Sequence, residues 1–302
     1  MRITIAGSSG LIGTALVRRL RAGGHDVVRL VRPGSSAHPG DTDRVTWDPS
    51  RGDLPADAID RADAVINLAG AGIGDRRWTD AYRNELVDSR LRTTDLLARA
   101  IAASASAPQV FLSGSAIGWY GDRGDEPLDE TSSPGTGFLA DLCRRWEEAA
   151  APAAAAGTRV ALLRTGIVLS AAGGALKKQL PLFKLGLGGR FGSGRQWQSW
   201  ITIDDEVAAI DHLLTADVHG PVNLTAPEPV TNATFTATLG KVLHRPAVLP
   251  IPSFAPKLVL GAELVDTVLL GGQRVLPARL QSSGFAFGQP QLEGALRAVL
   301  GR

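Results

Sequence analysis

Gly7-Ser8-Ser9-Gly10-Leu11-Ile12-Gly13 follows the apolar run Arg2–Ala6 and opens a segment, Leu11–Arg21, whose apolar residues recur at helical spacing. A strand that turns through glycines into a helix is the arrangement that cradles a dinucleotide pyrophosphate. Gly7 permits the tight turn, Gly10 lets the backbone approach the phosphates, and Gly13 lets helix and strand pack closely. The phosphates would rest on the free N–H groups and positive dipole end of the helix. The glycine spacing is weak alone, and the strand–turn–helix context makes it specific. Gly7, Ser9, Gly10, Leu11, Ile12 and Gly13 are therefore expected to hold a cofactor.

The alternation continues to about residue 170. Strands are predicted at Asp26–Val31, Arg44–Trp47, Ala64–Leu68, Val110–Ser113 and Arg159–Ile167. Helices are predicted at Thr79–Ala103 and Gly137–Ala156. This rhythm predicts an α/β, Rossmann-like fold: a doubly wound parallel sheet covered on both faces. After residue 170 it breaks into a glycine-rich stretch, with substrate-side insertions, then a strand at Trp200–Ile203 and a helix from Asp204 to Ala216. Asp204 is the expected N-cap, with Asp205 and Glu206 in the first turn. A tail of short helices follows, at 256–270, 277–283 and 290–300. The boundary falls at 226/227: residues 1–226 form the cofactor-binding domain, and residues 227–302 a small, mainly helical lobe packed on it.

The end of the second strand bears on cofactor choice. An acid about 20 residues past the glycine loop would bind the 2′-hydroxyl of NAD, whereas an arginine accommodates the 2′-phosphate of NADP. Arg32 stands there, 19 positions after Gly13, with no Asp or Glu nearby. The plainer reading is a solvated strand-end charge. NADP(H) is the expected cofactor.

Composition narrows the partners. The 302 residues carry 32 Lys+Arg against 30 Asp+Glu, a net charge of +2, which gives no footprint for nucleic acid. No apolar run approaches the roughly 20 residues of a membrane span, and no signal peptide is evident. Cys143 is the only cysteine, so no intramolecular disulfide is available, which suits a reducing cytoplasm. The five histidines, His25, His38, His212, His219 and His244, show no ligand spacing, so no metal site is expected. The expected partner is a small-molecule substrate, and a homodimer is compatible with the sequence.

The glycine loop, Trp47-Asp48, Asn67-Leu68-Ala69-Gly70 and Ser113-Gly114-Ser115-Ala116 followed by Tyr120-Gly121 occur in the order of the short-chain dehydrogenase/reductase superfamily, extended or atypical branch. More narrowly, the chain resembles epimerase-family proteins that carry a C-terminal domain of unknown function. Arg77-Trp78, Ser89-Arg90, the run from Arg164 to Leu169, Gly192 to Trp197, Trp200 to Asp205, Gly271 to Pro277 and Gly284-Phe285-x-Phe287 carry that likeness over essentially the whole chain. The resemblance implies that Asp48 contacts the adenine and that Leu68, Ala69 and Gly70 line the cofactor with Ser113. It implies that Ser115 is the catalytic Ser/Thr, and that Thr165, Gly166 and Ile167 belong to the loop over the nicotinamide.

One departure matters. The superfamily uses Tyr-x-x-x-Lys on the helix after the Ser strand, the Tyr moving the proton and the Lys lowering its pKa while binding the nicotinamide ribose. Aligned on Glu147, Leu139 stands for the Tyr and Cys143 for the Lys. Tyr120 is a candidate substitute acid, although its superfamily counterpart is structural. Cys143 reads more simply as a small buried apolar residue. Lys177, Arg195, Trp197 and Trp200 either form a substrate pocket or are a solvated face with core tryptophans. The leading expectation is an NADP-dependent oxidoreductase or epimerase acting on a small molecule. The alternative is a non-catalytic NADP-binding regulatory or protein-interaction module.

Overall fold

The computed structural model describes residues 1–35 and 42–302. His38 lies outside the described residues. Seven strands form the central sheet: β1 (Arg2–Ala6), β2 (Asp26–Val31), β3 (Arg44–Thr46), β4 (Ala64–Asn67), β5 (Val110–Ala116), β6 (Arg159–Thr165) and β7 (Gly220–Leu224). Their order is β7-β6-β5-β4-β1-β2-β3, and every neighbouring pair is parallel. Strand order reverses between β1 and β4, where a doubly wound sheet opens a crevice beyond its carboxyl ends.

The sheet is buried on both faces, as the continuous apolar strands demand. On one face Ile3, Ile5, Ile66 and Leu163 pack with Leu16 and Leu20 of α1 (Leu11–Ala22). On the other, Val65, Phe111 and Val160 pack with Leu97 and Ile101 of α2 (Asp80–Ala103). A third cluster joins Leu176, Leu180 and Phe183 of α4 (Gly174–Lys184), Trp200, Phe235 and Leu239 of α6 (Asn232–Leu243), and Leu292 and Leu296 of α7 (Leu292–Leu300). That cluster draws residues from both sides of position 226. Leu280, Phe285 and Phe287 of the tail pack into the first face of the sheet core.

Several local expectations need correcting. The helix expected over 137–156 is two: α3 (Phe138–Glu148) and a short turn at Ala151–Ala155. Pro152 has no N–H to continue the ladder. The strand expected to reach Ile167 ends at Thr165. At Gly166 the chain changes partner: Gly166 N–H donates to Leu224 O of β7, and Ile167 N–H donates to Ser199 O. The next helix, α5 (Ile203–Thr215), is capped by Thr202, whose hydroxyl accepts from Asp205 N–H, and not by Asp204. Asp205 instead holds the tail, accepting from Gly288 N–H at 2.7 Å and Gln289 N–H at 3.0 Å. Strand β7 and helices α4 and α6 were not predicted from the sequence. No helix among the described residues is long and apolar enough to cross a membrane.

Candidate cofactor cleft and the buried network behind it

A cleft of about 1050 Å³ opens at the carboxyl ends of β1–β4, at the reversal of strand order. Gly7, Ser9 and Gly10 lie on its wall. Gly7 has φ +81°, and a Cβ there would sit 2.5–2.7 Å from backbone atoms of Leu68 and Ala69. A Cβ on Gly13 would sit 2.2 Å from Gly7 O, so α1 packs onto the loop only with glycine there. At Gly10 a Cβ would meet only Gly7 O at 3.5 Å. Its Cα therefore faces open space, which a ligand can approach closely. Gly10 caps α1 with no side-chain hydrogen bond, and the first turn holds no acid. The helix end thus presents its N–H groups and positive dipole to the cleft, which suits a pyrophosphate.

Arg32 and Asp48 also line the cleft. Arg32 is exposed, and its side chain has no ion pair or hydrogen bond among the described residues. Arg29, three residues earlier in β2, is held by Asp43 through two contacts of 2.7 Å. Those bonds, with the Arg29 and Arg21 charges, keep the Asp43 carboxyl below the usual carboxylate range against partial burial. Asp48 accepts from Ser50 Oγ at 2.6 Å and Ser50 N–H at 3.0 Å, which hold its carboxyl low. Sequence reasoning passed over Arg44 and Ser35, which share this rim. The available signal was register: Arg44 pairs with Arg29 across β2 and β3.

Leu68, Ala69 and Gly70 line the inner half of the cleft. Their loop is tied down by Asn67, which accepts from Ala69 N–H at 3.1 Å and donates to Thr94 Oγ1 at 2.9 Å. Leu11, Ile12 and Ser113 are not among the lining residues. Ser113 is fully buried, and its hydroxyl has no hydrogen-bond partner among the described residues. Thr165, Gly166 and Ile167 stand away from the wall. The Thr165 hydroxyl donates to Glu206 at 2.9 Å, and Gly166 is enclosed by Ser199 O and Thr225 Cγ2.

The expected catalytic residues belong to a buried network. Ser115 Oγ donates to Glu147 Oε1 at 2.6 Å. Arg164 grips Glu147 with two N–H groups at 2.8 and 2.9 Å and donates to Tyr120 Oη at 3.0 Å. Tyr120 donates onward to Asn223 Oδ1 at 2.8 Å. Arg164 also stacks on Trp119, 4.0 Å from the ring centroid. Tyr120 is fully buried and does not line the cleft, and burial pushes its phenol up despite Arg164, which counts against the expected acid role. Ser115 has already committed its proton to a carboxylate and does not line the cleft.

Leu139 and Cys143 pack beside Gly118, whose Cβ would lie 3.2 Å and 3.7 Å from them. Burial raises the Cys143 thiol to about 12, in accord with a small apolar residue. The expected substrate-pocket residues are not brought together. Lys177 and Arg195 are exposed, and Trp197 donates to Asp125 at 2.7 Å beneath Arg274. Trp200 is fully buried and donates to Glu228 O at 3.1 Å, so it is a core residue. None of the four lines the cleft. Among the described residues, no group of three or more His, Cys, Asp or Glu side chains could hold a metal.

Residues 3–225 match the NAD dependent epimerase/dehydratase family, and residues 251–299 match a domain of unknown function, DUF1731. A Mycobacterium bovis protein described as epimerase family protein Mb2239 is 46% identical over 286 residues, covering 94% of this chain and 93% of its own. The crystal structure of human epimerase family protein SDR39U1 (isoform 2) with NADPH superposes with a TM-score of 0.88 at 37% identity, covering 99% of both chains. A UDP-glucose 4-epimerase of Thermotoga maritima, solved with UDP-glucose, shares the fold at a TM-score of 0.75 and 16% identity, covering 99% and 98% of the two chains.

Proposed function

The chain belongs to the NAD dependent epimerase/dehydratase family, and from that premise we propose that it binds NADP(H) in the cleft and acts as an oxidoreductase or epimerase on a small molecule. One observation carries the cofactor choice: Arg32, a cation whose side chain has no partner among the described residues, lies on the same cleft wall as the uncapped start of α1. The loop suits a pyrophosphate, and the arginine suits a further phosphate on the adenosine ribose. The crystal structure of the human relative with NADPH supports the same choice.

When bound, NADP(H) supplies or accepts a hydride. This chain's own residues fix where that happens. Gly7, Gly10 and the α1 N-terminus seat the phosphates, Arg32 and Asp48 flank the adenosine, and Leu68–Gly70 shape the inner half. Ser115 can orient a substrate carbonyl only by exchanging its bond to Glu147. With Leu139 and Cys143 apolar and Tyr120 enclosed, the proton comes from water or from the substrate itself.

Titration by nicotinamide fluorescence tests the cofactor assignment. NADPH is expected to bind more tightly than NADH, and Arg32→Ala is expected to remove most of the difference. A charge-assisted contact of this kind is worth about 1.5–3 kcal/mol, or roughly tenfold to a hundredfold in affinity. Equal affinity of the wild type for both cofactors refutes the assignment.

A second reading, a cofactor-binding module that meets a protein partner, is favoured by one surface. The 184–189 loop lies against the 245–251 segment, through Arg245 on Lys184 O and Gly189 beside Leu249 O. Together they expose Leu185, Leu187, Val248 and Leu249. Steady NADPH consumption against a carbonyl panel separates the readings, since only the enzyme uses up cofactor.

A further inference from the structure

Arg90 on α2 is a cation in an unusual position. Its residue is only 8% exposed, and its one hydrogen bond among the described residues goes to Leu86 O at 3.1 Å. No carboxylate answers it. Burial pushes its pKa down, and among the described residues only the weak acids Cys143 and Tyr82 oppose that shift. The guanidinium lies over Trp146, 5.0 Å from the ring centroid, which offsets part of its lost hydration. It also lies directly behind Gly70, where a Cβ would meet its Cζ at 3.2 Å and its Nη1 at 3.4 Å. Gly70, Ser89 and Thr93 line the cleft, so Arg90 stands behind the wall that its neighbours form.

The place in the cleft suggests what this cation serves. Arg32 and Asp48 mark the adenosine half over β2 and β3, and the glycine loop marks the phosphates over β1. The remaining half of a dinucleotide then lies over the end of β4, beside Gly70. Helix α3 offers no cation there: Cys143 is buried and uncharged, and Leu139 packs on Gly118. The field of Arg90 reaches Cys143 from the neighbouring helix. A guanidinium with unused N–H donors and no counter-charge can hold ribose hydroxyls in a fixed geometry.

We propose that Arg90, on α2 directly behind Gly70, is a cofactor-binding residue that holds the ribose of the nicotinamide half, the position for which α3 supplies only Cys143. This rests on the NADP(H) reading above. The side chain gives an orienting cation without a proton relay, since an arginine keeps its proton at any working pH.

Two ligands test it. NADPH spans the whole cleft, whereas adenosine 2′,5′-bisphosphate lacks the nicotinamide ribose. Arg90→Met is expected to weaken NADPH about tenfold or more by fluorescence titration, and to leave adenosine 2′,5′-bisphosphate unchanged by calorimetry. Arg90→Lys, which keeps the charge, is expected to recover part of the NADPH affinity. Equal weakening of both ligands by both variants makes Arg90 a prop of the fold and overturns the proposal. Unchanged NADPH affinity in Arg90→Met overturns it too, while leaving the cofactor reading intact. Failure of the wild type to bind either ligand refutes the cofactor reading itself, and this proposal with it.

Discussion

Glu147→Ala is expected to destabilise the protein by about 3–5 kcal/mol. Glu147 and Arg164 are almost fully enclosed, with side chains 7% and 3% exposed. Burial alone would lower the Arg164 pKa, but the hydrogen bonds and charge of Glu147 overcome that and raise it. Removing the carboxylate strands a guanidinium in the core, leaves Ser115 without its acceptor, and keeps only Tyr120 and the Trp119 ring as company. The cost comes chiefly from the charge left behind, more than from any large net worth of the pair. A double variant, Glu147→Leu with Arg164→Met, is therefore expected to recover much of the loss, because neither charge then remains. Ser115→Ala, which deletes only one donor to the carboxylate, is expected to cost about 1.5–3 kcal/mol. Urea unfolding of the four proteins measures this. A change below about 1 kcal/mol in Glu147→Ala would mean that water reaches Arg164 and that the network is not dry.

This network shows where sequence reading reaches its limit. The strands β1, β2 and β4 and the helices α1 and α2 follow from local periodicity and from glycines whose backbone roles are fixed within a few residues. Gly7 and Gly13 serve the loop as their spacing predicts. The network from Ser115 to Asn223 joins residues on three strands, a helix and a turn, and no local pattern encodes its closure. Ser115 and Tyr120 were picked out by order in the chain, which gives the strand end but not the direction of the hydroxyl. Arg164 was visible only as part of a motif. Strand β7, Gly220-Pro-Val-Asn-Leu, reads as a turn because Gly and Pro open it. Yet it is the sheet's edge, where a proline is tolerated at the start of a strand. Helix α4 was hidden by flanking glycines and by Pro181 inside it. Its existence depends on Leu176, Leu180 and Phe183 meeting α6 and α7, a tertiary contact.

The contribution of Glu206 to stability is expected to fall with rising pH between about 4.5 and 8, and Glu206→Gln is expected to remove that fall. Glu206 lies in the first turn of α5, where the helix dipole favours a carboxylate. Burial wins. The residue is fully enclosed, the Thr165 hydroxyl lowers its pKa only in part, and no charged side chain among the described residues acts on it, so its pKa rises to about 8. Its Oε2 has no hydrogen-bond partner among the described residues. At neutral pH the folded protein therefore holds this carboxyl protonated, while the unfolded chain has released the proton. With more protons bound in the folded state, the stability derived from this group is complete below the unfolded pKa and is lost as pH climbs towards the folded one. The slope is about −1.4 kcal/mol per pH unit, or on the order of 4–5 kcal/mol across the window. A glutamine keeps the shape and the hydrogen bond from Thr165 but cannot ionise. Urea unfolding at pH 5, 6, 7 and 8 gives the comparison. Subtracting the variant's profile from that of the wild type removes every other titrating group, and the difference should move against the wild type as pH rises. Parallel profiles would show that Glu206 is already ionised at pH 5, and hence that a cation or water reaches it.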